Sequence, residues 1–236
     1  TALKKISLDI KHGEKVALVG ESGSGKSVTA RMILGLLSNS NISKSGEIFF
    51  EEVDLLKESN ANIKKIRGNK ISMIFQDPVS SMNPFFTVRK QMQQALENHN
   101  QTFDTKETEE YFANLLRDVK IEDPARVLDS YAFQLSGGMA QRVMISMAMI
   151  NKPKLILADE PTTALDVTVQ KTVLSIMKEV VNQNKMSMLL ISHNLGVVRE
   201  FADRIYVIYQ GTILEEGTTK QIFNSPGHLY TQTLLQ

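Results

Sequence analysis

Short apolar runs alternate along most of the chain with longer stretches whose apolar residues follow helical spacing. Uninterrupted apolar runs are typical of strands buried on both faces, which occur in parallel sheets covered by helices. The alternation therefore predicts an α/β fold with a mainly parallel sheet. The predicted strands are Val16–Val19, Ile71–Phe75, Leu155–Ala158, Met188–Ile191 and Ile205–Ile208, and a helix is predicted at Val28–Leu37.

The strand pattern stops between residues 77 and 150, where helical segments follow one another with polar loops between them. The polar run Glu97–Glu110 in this region is best explained as a solvated loop and the start of a helix. We therefore predict one domain over residues 1–236. Its α/β core would comprise residues 1–76 and 151–236, with a helical subdomain inserted at residues 77–150.

Composition limits the classes of function. The 236 residues are 42% hydrophobic and 22% charged, which is ordinary for a globular protein. A net charge of +1 gives no electrostatic reason to expect nucleic-acid binding. The chain has no cysteine, which excludes disulfides and thiolate metal sites within it. No apolar run reaches the length of a membrane span, so we expect any membrane role to act through partner proteins.

A glycine-rich loop lies between the first predicted strand and the first predicted helix. Glycines allow the backbone to turn its N–H groups inward, and the helix that follows adds the positive end of its dipole. Lys26 could then reach the β- and γ-phosphates of a nucleotide, and the Ser27 hydroxyl could bind Mg²⁺. The pattern in this context predicts nucleoside triphosphate binding. The loop residues are Gly20, Glu21, Ser22, Gly23, Ser24, Gly25, Lys26 and Ser27.

Two carboxylates, Asp159 and Glu160, follow the predicted strand Leu155–Ala158. An acid just past a buried strand is the expected Mg²⁺ partner of a phosphate loop, and Asp159 has that position. Glu160 could then polarise an attacking water as a general base. The alternative is that the two acids only cap a helix.

Polar residues also follow other strands. Gln76 and His193 each lie just past a predicted strand, at the edge where ligands bind in open α/β sheets. Ser136, Gly137 and Gly138 begin a helix predicted to run to about Ile150, and a helix start of this kind can bind an anion. Taken alone, this Ser-Gly-Gly sequence is more often a simple turn.

Taken together, these motifs resemble those of the nucleotide-binding subunits of ABC transporters, over essentially the whole chain. The glycine-rich loop resembles Walker A, Leu155–Glu160 resembles Walker B with its glutamate, and Ala164–Asp166 resembles the D-loop. Gln76 and His193 resemble the Q-loop glutamine and the switch histidine. Leu135–Met139 resembles the signature motif.

Longer segments resemble one branch of that family, the oligopeptide, dipeptide and nickel importers. They are Phe75–Pro84, Glu160–Gln170, Ser192–Val198 and Pro226–Thr231, the last with Leu229 where the branch usually has proline. Val28 stands where many relatives have a phosphate-contacting threonine, but its backbone N–H can still serve. The aromatic residue on which the family stacks adenine would precede Thr1.

The resemblance implies a P-loop (RecA-like) ATPase core with a mainly parallel sheet. It also implies an N-terminal antiparallel β portion that begins before Thr1, and the inserted helical subdomain. ATP and Mg²⁺ would be the cofactors. The implied catalytic residues are Glu160, His193, Gln76 and Lys26. The implied metal ligands are Ser27, Gln76 and Asp159. The implied nucleotide contacts are Gly20–Ser27, Val28, Gln76 and Asp159, together with Ser136, Gly137 and Gly138 acting on the ATP of a partner subunit.

The resemblance also implies partners and a location. Two ATPase subunits, identical or different, would enclose two ATP molecules and work with two permease subunits at the cytoplasmic face of the membrane. An extracytoplasmic solute-binding protein would deliver the cargo. We expect Pro78–Arg89 to contact a permease helix, unless its apolar side chains only pack the helical subdomain.

Two other functions stay open from the sequence. One is a non-transport ABC ATPase acting on DNA or ribosomes, although such relatives usually have coiled coils, tandem ATPase domains or basic arms. The other is a regulatory subunit that binds ATP without hydrolysing it, against which Glu160 and His193 argue. The sequence leaves the cargo open among peptides, nickel and metal-chelating small molecules.

Overall fold

The computed structural model describes residues 2–37, 42–99, 101, 104–163 and 165–235. The strands among them are β1 (Lys15–Val19), β2 (Phe49–Phe50), β3 (Val53–Asp54), β4 (Ile71–Ile74), β5 (Leu155–Asp159), β6 (Ser187–Ser192), β7 (Arg204–Tyr209) and β8 (Thr212–Thr218). The α-helices among them are α1 (Lys26–Ile33), α2 (Asn60–Ile66), α3 (Pro78–Ser81), α4 (Val88–Glu97), α5 (Thr105–Asp118), α6 (Pro124–Leu128), α7 (Gly137–Met149), α8 (Val167–Gln183), α9 (Leu195–Phe201), α10 (Thr219–Asn224) and α11 (Leu229–Leu234).

The chain divides into two compact units, and each is described by itself. The first unit comprises residues 1–67 and 188–236, and the second comprises residues 68–187. The predicted division into an α/β core and an inserted helical subdomain stays a prediction.

The first unit is built on parallel strands. β1 pairs in parallel with both β6 and β7, and β8 runs antiparallel to β7. Val16–Val19 of β1 is at most 1% exposed, which is why this strand has a continuous apolar sequence. The parallel pairing places the carboxyl ends of β1, β6 and β7 at one edge.

The first unit also contains a two-stranded antiparallel sheet of β2 and β3. Neither strand was predicted, because each has only two residues and no period can be read from so short a run. Helix α2 follows, and Arg67 just past its end donates hydrogen bonds to the carbonyl oxygens of Leu34 and Gly35. These carbonyls lie at the C-terminal end of α1, where cationic donors are favourable.

The second unit combines a parallel pair of strands, β4 and β5, with helices. Within the described part of this unit, no strand lies between Ile74 and Leu155. Several of its helices begin at a side chain that accepts a backbone N–H of the first turn, which satisfies a donor without an intrahelical partner. These capping residues are Asp77, Thr87, Asp104, Asp123, Ser136 and Asp166.

The sequence predicted the position of the five parallel strands correctly, with ends that differ by one residue at most. The predicted helix Val28–Leu37 was wrong at both ends, since α1 spans Lys26–Ile33. Gly35 has a φ of 61° and donates to the Met32 carbonyl, and Leu36 donates to the Arg31 carbonyl. This is the Schellman arrangement that ends helices, and the apolar residues beyond it concealed the stop.

Candidate nucleotide-binding site

The glycine-rich loop follows β1 and ends at the first residue of α1. Its first glycine, Gly20, lies so close to β7 that a β-carbon there would overlap the carbonyl oxygen of Ile208. Gly25 has a φ of 107°, and a β-carbon there would approach the Ala2 carbonyl oxygen to 2.9 Å. These two positions therefore accept only glycine, and the loop can follow its tight path past β7.

Lys26 lies inside this loop. Its side-chain ammonium donates to the carbonyl oxygens of Gly20 at 2.7 Å and Glu21 at 2.8 Å. The residue is only 5% exposed, so its charge would be costly there without these acceptors. A phosphate entering the loop could replace the two carbonyls as the partner of the ammonium.

Ser27 and Val28 are the second and third residues of α1. Both are half-buried. Backbone N–H groups in the first turn of a helix lack intrahelical acceptors, and the helix dipole is positive there. The start of α1 is therefore suited to an anion.

Parts of the first unit that are distant in sequence contact the loop from outside. Gly211, in the turn after β7, donates its N–H to the Ser24 carbonyl at 2.9 Å. The Tyr230 hydroxyl accepts the N–H of Glu21 at 3.1 Å. The sequence pattern did not predict these contacts, because no spacing rule links a loop to residues so distant along the chain.

His193 follows β6 and is exposed. Ser192 pairs with Val19 of β1, so His193 and Gly20 follow directly opposite residues of neighbouring parallel strands. The Ser192 hydroxyl accepts the N–H of Asn194 at 3.0 Å, and Asn194 caps α9. The first unit thus brings the glycine-rich loop and His193 to the same strand edge.

In the second unit, Asp159 is the last residue of β5 and is 3% exposed. Glu160 follows with a φ of 48°, and its Oε2 accepts the Thr163 hydroxyl at 3.0 Å. This φ is strained for a residue with a side chain, by roughly 1 kcal/mol or more. Six other described non-glycine residues also have a positive φ, so it is the position of Glu160 just past β5, beside Asp159, that makes it the candidate.

Gln76 lies at the same edge as this acidic pair. Ile74, the last residue of β4, pairs with Ala158 of β5, and Gln76 follows two residues later. Gln76 is exposed. The second unit thus brings Gln76, Asp159 and Glu160 together at the carboxyl end of two neighbouring strands.

Helix α7 begins at the predicted Ser-Gly-Gly sequence. The Ser136 hydroxyl accepts the N–H of Met139 at 3.4 Å, and both Ser136 and Gly137 are exposed. A β-carbon on Gly138 would come within 2.5 Å of Val169 in α8. Gly138 therefore has a packing role, whereas Ser136 and Gly137 lie where a partner could reach them.

Two other predicted segments lie in the second unit. Asp166 accepts the N–H groups of Thr168 at 3.1 Å and Val169 at 3.0 Å and so begins α8, while Ala164 lies outside the described residues. In the segment predicted to contact a permease, Met82 is buried at 4% exposure, whereas Phe85 is 84% exposed. Met82 thus fits the packing alternative.

Comparison with known proteins decides the family of the chain. The family model described as "ABC transporter" matches residues 3–163. The chain belongs to the ABC transporter family. The predicted P-loop α/β fold and the predicted membership of this family are confirmed.

Curated relatives of this ABC ATPase are transport ATP-binding proteins. It is 49% identical, over 99% of its own length, to the peptidoglycan transport ATP-binding protein YejF of Agrobacterium fabrum. It is 45% identical, over its whole length, to the dipeptide transport ATP-binding protein DppD of Haemophilus influenzae. The chain spans 43% of the first relative and 71% of the second.

A solved structure gives the same result for the fold. A dimeric ATP-binding cassette, bound to ADP and Pi in a post-hydrolysis state, matches this ABC ATPase with a TM-score of 0.81. The two are 29% identical, and the match covers 92% of this chain and 90% of the other. As a member of this class the chain binds ATP, and none of these similarities favours an action on DNA or ribosomes.

Among the helices in the described part of the chain, none combines the length and the apolar character of a membrane-spanning helix.

Proposed function

We propose that the chain is the ATP-hydrolysing subunit of an importer for peptide-like small molecules. ATP binding closes a pair of such subunits, and hydrolysis reopens it. The observation that carries this proposal is the glycine-rich loop with its buried ammonium. The Lys26 ammonium donates hydrogen bonds to the carbonyl oxygens of Gly20 and Glu21. It lies at the start of a helix whose dipole favours a phosphate.

Each predicted site residue has a role in this proposal. The glycine-rich loop and Val28 bind the phosphates through their N–H groups, and Lys26 neutralises the β- and γ-phosphates. Glu160 accepts a proton from the attacking water, and His193 holds the γ-phosphate and that water in place. Gln76 reports occupancy of the site to the helical subdomain.

The proposed metal is Mg²⁺, with Ser27, Gln76 and Asp159 as ligands. The donor set fits this ion, because a hydroxyl, an amide oxygen and a carboxylate are all hard oxygen ligands. Among the described residues, no group of three or more histidines, aspartates and glutamates could hold a metal by itself. Mg²⁺ is commonly bound through one or two carboxylates together with phosphate oxygens and water. The ion would neutralise charge on the phosphates.

The domain organisation is part of the proposal. Residues 1–76 and 151–236 form the α/β catalytic core, and residues 77–150 form the helical subdomain inserted in it. The run of helices between β4 and β5 supports this division.

A second ATPase subunit is the proposed direct partner, in a homodimer or a heterodimer. Ser136, Gly137 and Gly138 would contact the ATP held by that subunit. The exposure of Ser136 and Gly137 at the start of α7 supports this role, as does the dimeric state of the similar solved cassette. A hydroxyl and the first N–H groups of a helix are suited to a γ-phosphate.

Two permease subunits would hold the chain at the cytoplasmic face of the membrane, and a solute-binding protein outside the cell would supply the cargo. The exposed Phe85 supports contact between Pro78–Arg89 and a permease, since a large apolar side chain in water is typical of a binding surface. The names of the two relatives favour peptide-like cargo over nickel.

The experiment is to replace Glu160 by Gln in the full-length protein assembled with its partners. ATP binding should be retained, while hydrolysis should fall by about a hundredfold or more, because the general base is lost. Glu179→Gln is the matched control, since Glu179 lies on α8 in an exposed pair with Lys120. Near-normal hydrolysis by Glu160→Gln would refute the proposed mechanism.

A further inference from the structure

The C-terminal segment of the first unit reaches back to the glycine-rich loop. Helix α11 carries Tyr230, whose hydroxyl oxygen accepts the backbone N–H of Glu21 at 3.1 Å. Glu21 is the residue whose carbonyl oxygen, with that of Gly20, holds the Lys26 ammonium. The hydroxyl therefore bonds to the same turn of backbone that positions the lysine.

The peptide between Gly20 and Glu21 is held at both ends. Its C=O accepts the Lys26 ammonium at 2.7 Å, and its N–H donates to Tyr230. A peptide group is planar, and in the trans form its C=O and N–H point in opposite directions. Fixing the N–H on Tyr230 therefore fixes the direction in which the carbonyl faces Lys26.

Tyr230 is itself supported on two sides. Its ring packs against Tyr209 with ring centres 4.5 Å apart. The turn before α11 is held by Glu215, whose carboxylate accepts the N–H groups of Gly227 at 2.7 Å and His228 at 3.0 Å. These contacts restrict the position of the Tyr230 side chain and therefore of its hydroxyl beside the loop.

The chemistry of the hydroxyl suits this contact. A tyrosine hydroxyl is uncharged at neutral pH, and burial raises the pKa of Tyr230 further. A neutral hydroxyl oxygen can accept the Glu21 N–H without placing a negative charge beside the phosphate site. Tyr230 can therefore support the loop without repelling a nucleotide.

We propose that Tyr230 is a positioning residue, which fixes the Gly20–Glu21 peptide and thereby sets the resting position of Lys26 for nucleotide binding. This inference rests on the proposed function, in that the loop must bind ATP phosphates. Tyr230 contacts the backbone of the loop, and we assign it no part in the chemical step. Loss of its hydroxyl should therefore weaken binding of ATP and leave the chemical step nearly unchanged.

The test compares Tyr230→Phe with Tyr209→Phe in the full-length protein assembled with its partner subunits. Both variants keep the ring pair and lose one hydroxyl, but the Tyr209 hydroxyl contacts only the Gln210 side chain among the bonds described. Tyr230→Phe should raise the KM for MgATP about threefold to tenfold, the range expected for one lost hydrogen bond. Its kcat should stay within about twofold, and Tyr209→Phe should leave both constants within about twofold.

Hydrogen exchange measures directly how firmly the Gly20–Glu21 peptide is held. Hydrogen exchange of the Glu21 amide, followed without nucleotide, should be faster in Tyr230→Phe and unchanged in Tyr209→Phe. An unchanged KM in Tyr230→Phe would overturn the inference whatever the exchange rate, and so would an equal rise in both variants or a loss that falls on kcat alone.

Lys26→Ala separates this inference from the proposed function. If Lys26→Ala binds ATP normally, the proposed function itself is wrong. If Lys26→Ala loses binding while Tyr230→Phe keeps the normal KM, the loop binds ATP and only the role of Tyr230 is refuted.

Discussion

The carbonyl oxygen of Ile208 occupies the space that a β-carbon on Gly20 would need. β7 therefore sets how the glycine-rich loop leaves β1, because a backbone carbonyl cannot turn away as a flexible side chain can. We expect Gly20→Ala to displace the loop, lower the free energy of unfolding by roughly 2 kcal/mol and abolish ATP binding. Chemical denaturation and equilibrium binding of a fluorescent ATP analogue would measure both effects.

Gly13→Ala is the control for this substitution. Gly13 has a φ of 74°, but a β-carbon there would meet no atom within 4 Å. Gly13→Ala should lower the free energy of unfolding by only about 1 kcal/mol, the strain of a positive φ, and leave the affinity for ATP unchanged. Equal loss of affinity in both variants would contradict the role given to Ile208.

Lys26→Ala should remove ATP binding and leave the fold intact. The substitution takes away the charge that would meet the phosphates, and the carbonyl oxygens of Gly20 and Glu21 lose the ammonium between them. We expect affinity to fall by about a hundredfold or more, since hydrogen bonds to charged groups are the strong ones. Lys57→Ala serves as the control and should bind normally, since Lys57 pairs with Asp54 at 2.9 Å and Glu47 at 3.4 Å and not with the loop.

Glu160→Gly should make the protein more stable while abolishing its ATP hydrolysis. Glycine relieves the strain at a φ of 48°, so the free energy of unfolding should rise by up to about 1 kcal/mol while hydrolysis is lost. Lys185→Gly is the matched variant, because Lys185 has a φ of 52° in the turn after α8. It should gain similar stability and keep full hydrolysis, and loss of hydrolysis in both variants would argue against a specific role for Glu160.

Arg204→Met should destabilise the first unit in a pH-dependent way. The guanidinium donates two hydrogen bonds to the Glu14 carboxylate, and this contact holds the pKa of Glu14 below its usual value. A lowered folded-state pKa adds stability above the unfolded-state pKa of about 4.3, and that stability is lost as the pH falls. The difference from the unmodified protein should be about 2 kcal/mol at pH 7 and smaller near pH 3.

Other groups also face Arg204, and the control is an arginine in an exposed ion pair. Asp9, Glu216 and the Tyr206 hydroxyl also accept from the guanidinium, and burial raises the pKa of Tyr206 to about 12. Arg126→Met removes an exposed pair with Asp123 and should cost less than about 0.5 kcal/mol. A pH-independent difference for Arg204→Met would show that packing, and not charge, dominates there.

Phe85→Ser should weaken assembly with the permease subunits. The side chain is 84% exposed, and Phe49 at 61% exposure is a matched position on β2 of the first unit. We expect about a tenfold loss of affinity for permeases in detergent or nanodiscs, since burial of an aromatic side chain is a strong apolar contact. Unchanged assembly in Phe85→Ser, or an equal loss in Phe49→Ser, would exclude this contact.

The sequence predicted the features that depend on local pattern. Val16–Val19 was recognisable because a strand covered on both faces must be apolar throughout, and the glycine-rich loop because phosphate binding needs its residues in fixed order. The strained φ of Glu160 was not predictable, since no local sequence pattern indicates a positive φ at this position. Contacts such as Tyr230 to Glu21 also depend on tertiary packing, which brings distant positions together.

The close approach of Gly138 to Val169 has a consequence for motion in the second unit. Only the Val169 side chain separates the first turns of α7 and α8 at this point, so a large shift of one turn would displace the other. Ser136 and Asp166, which begin these helices, should therefore shift together as one surface. A molecule that binds to the start of one helix and moves it would therefore also move the start of the other.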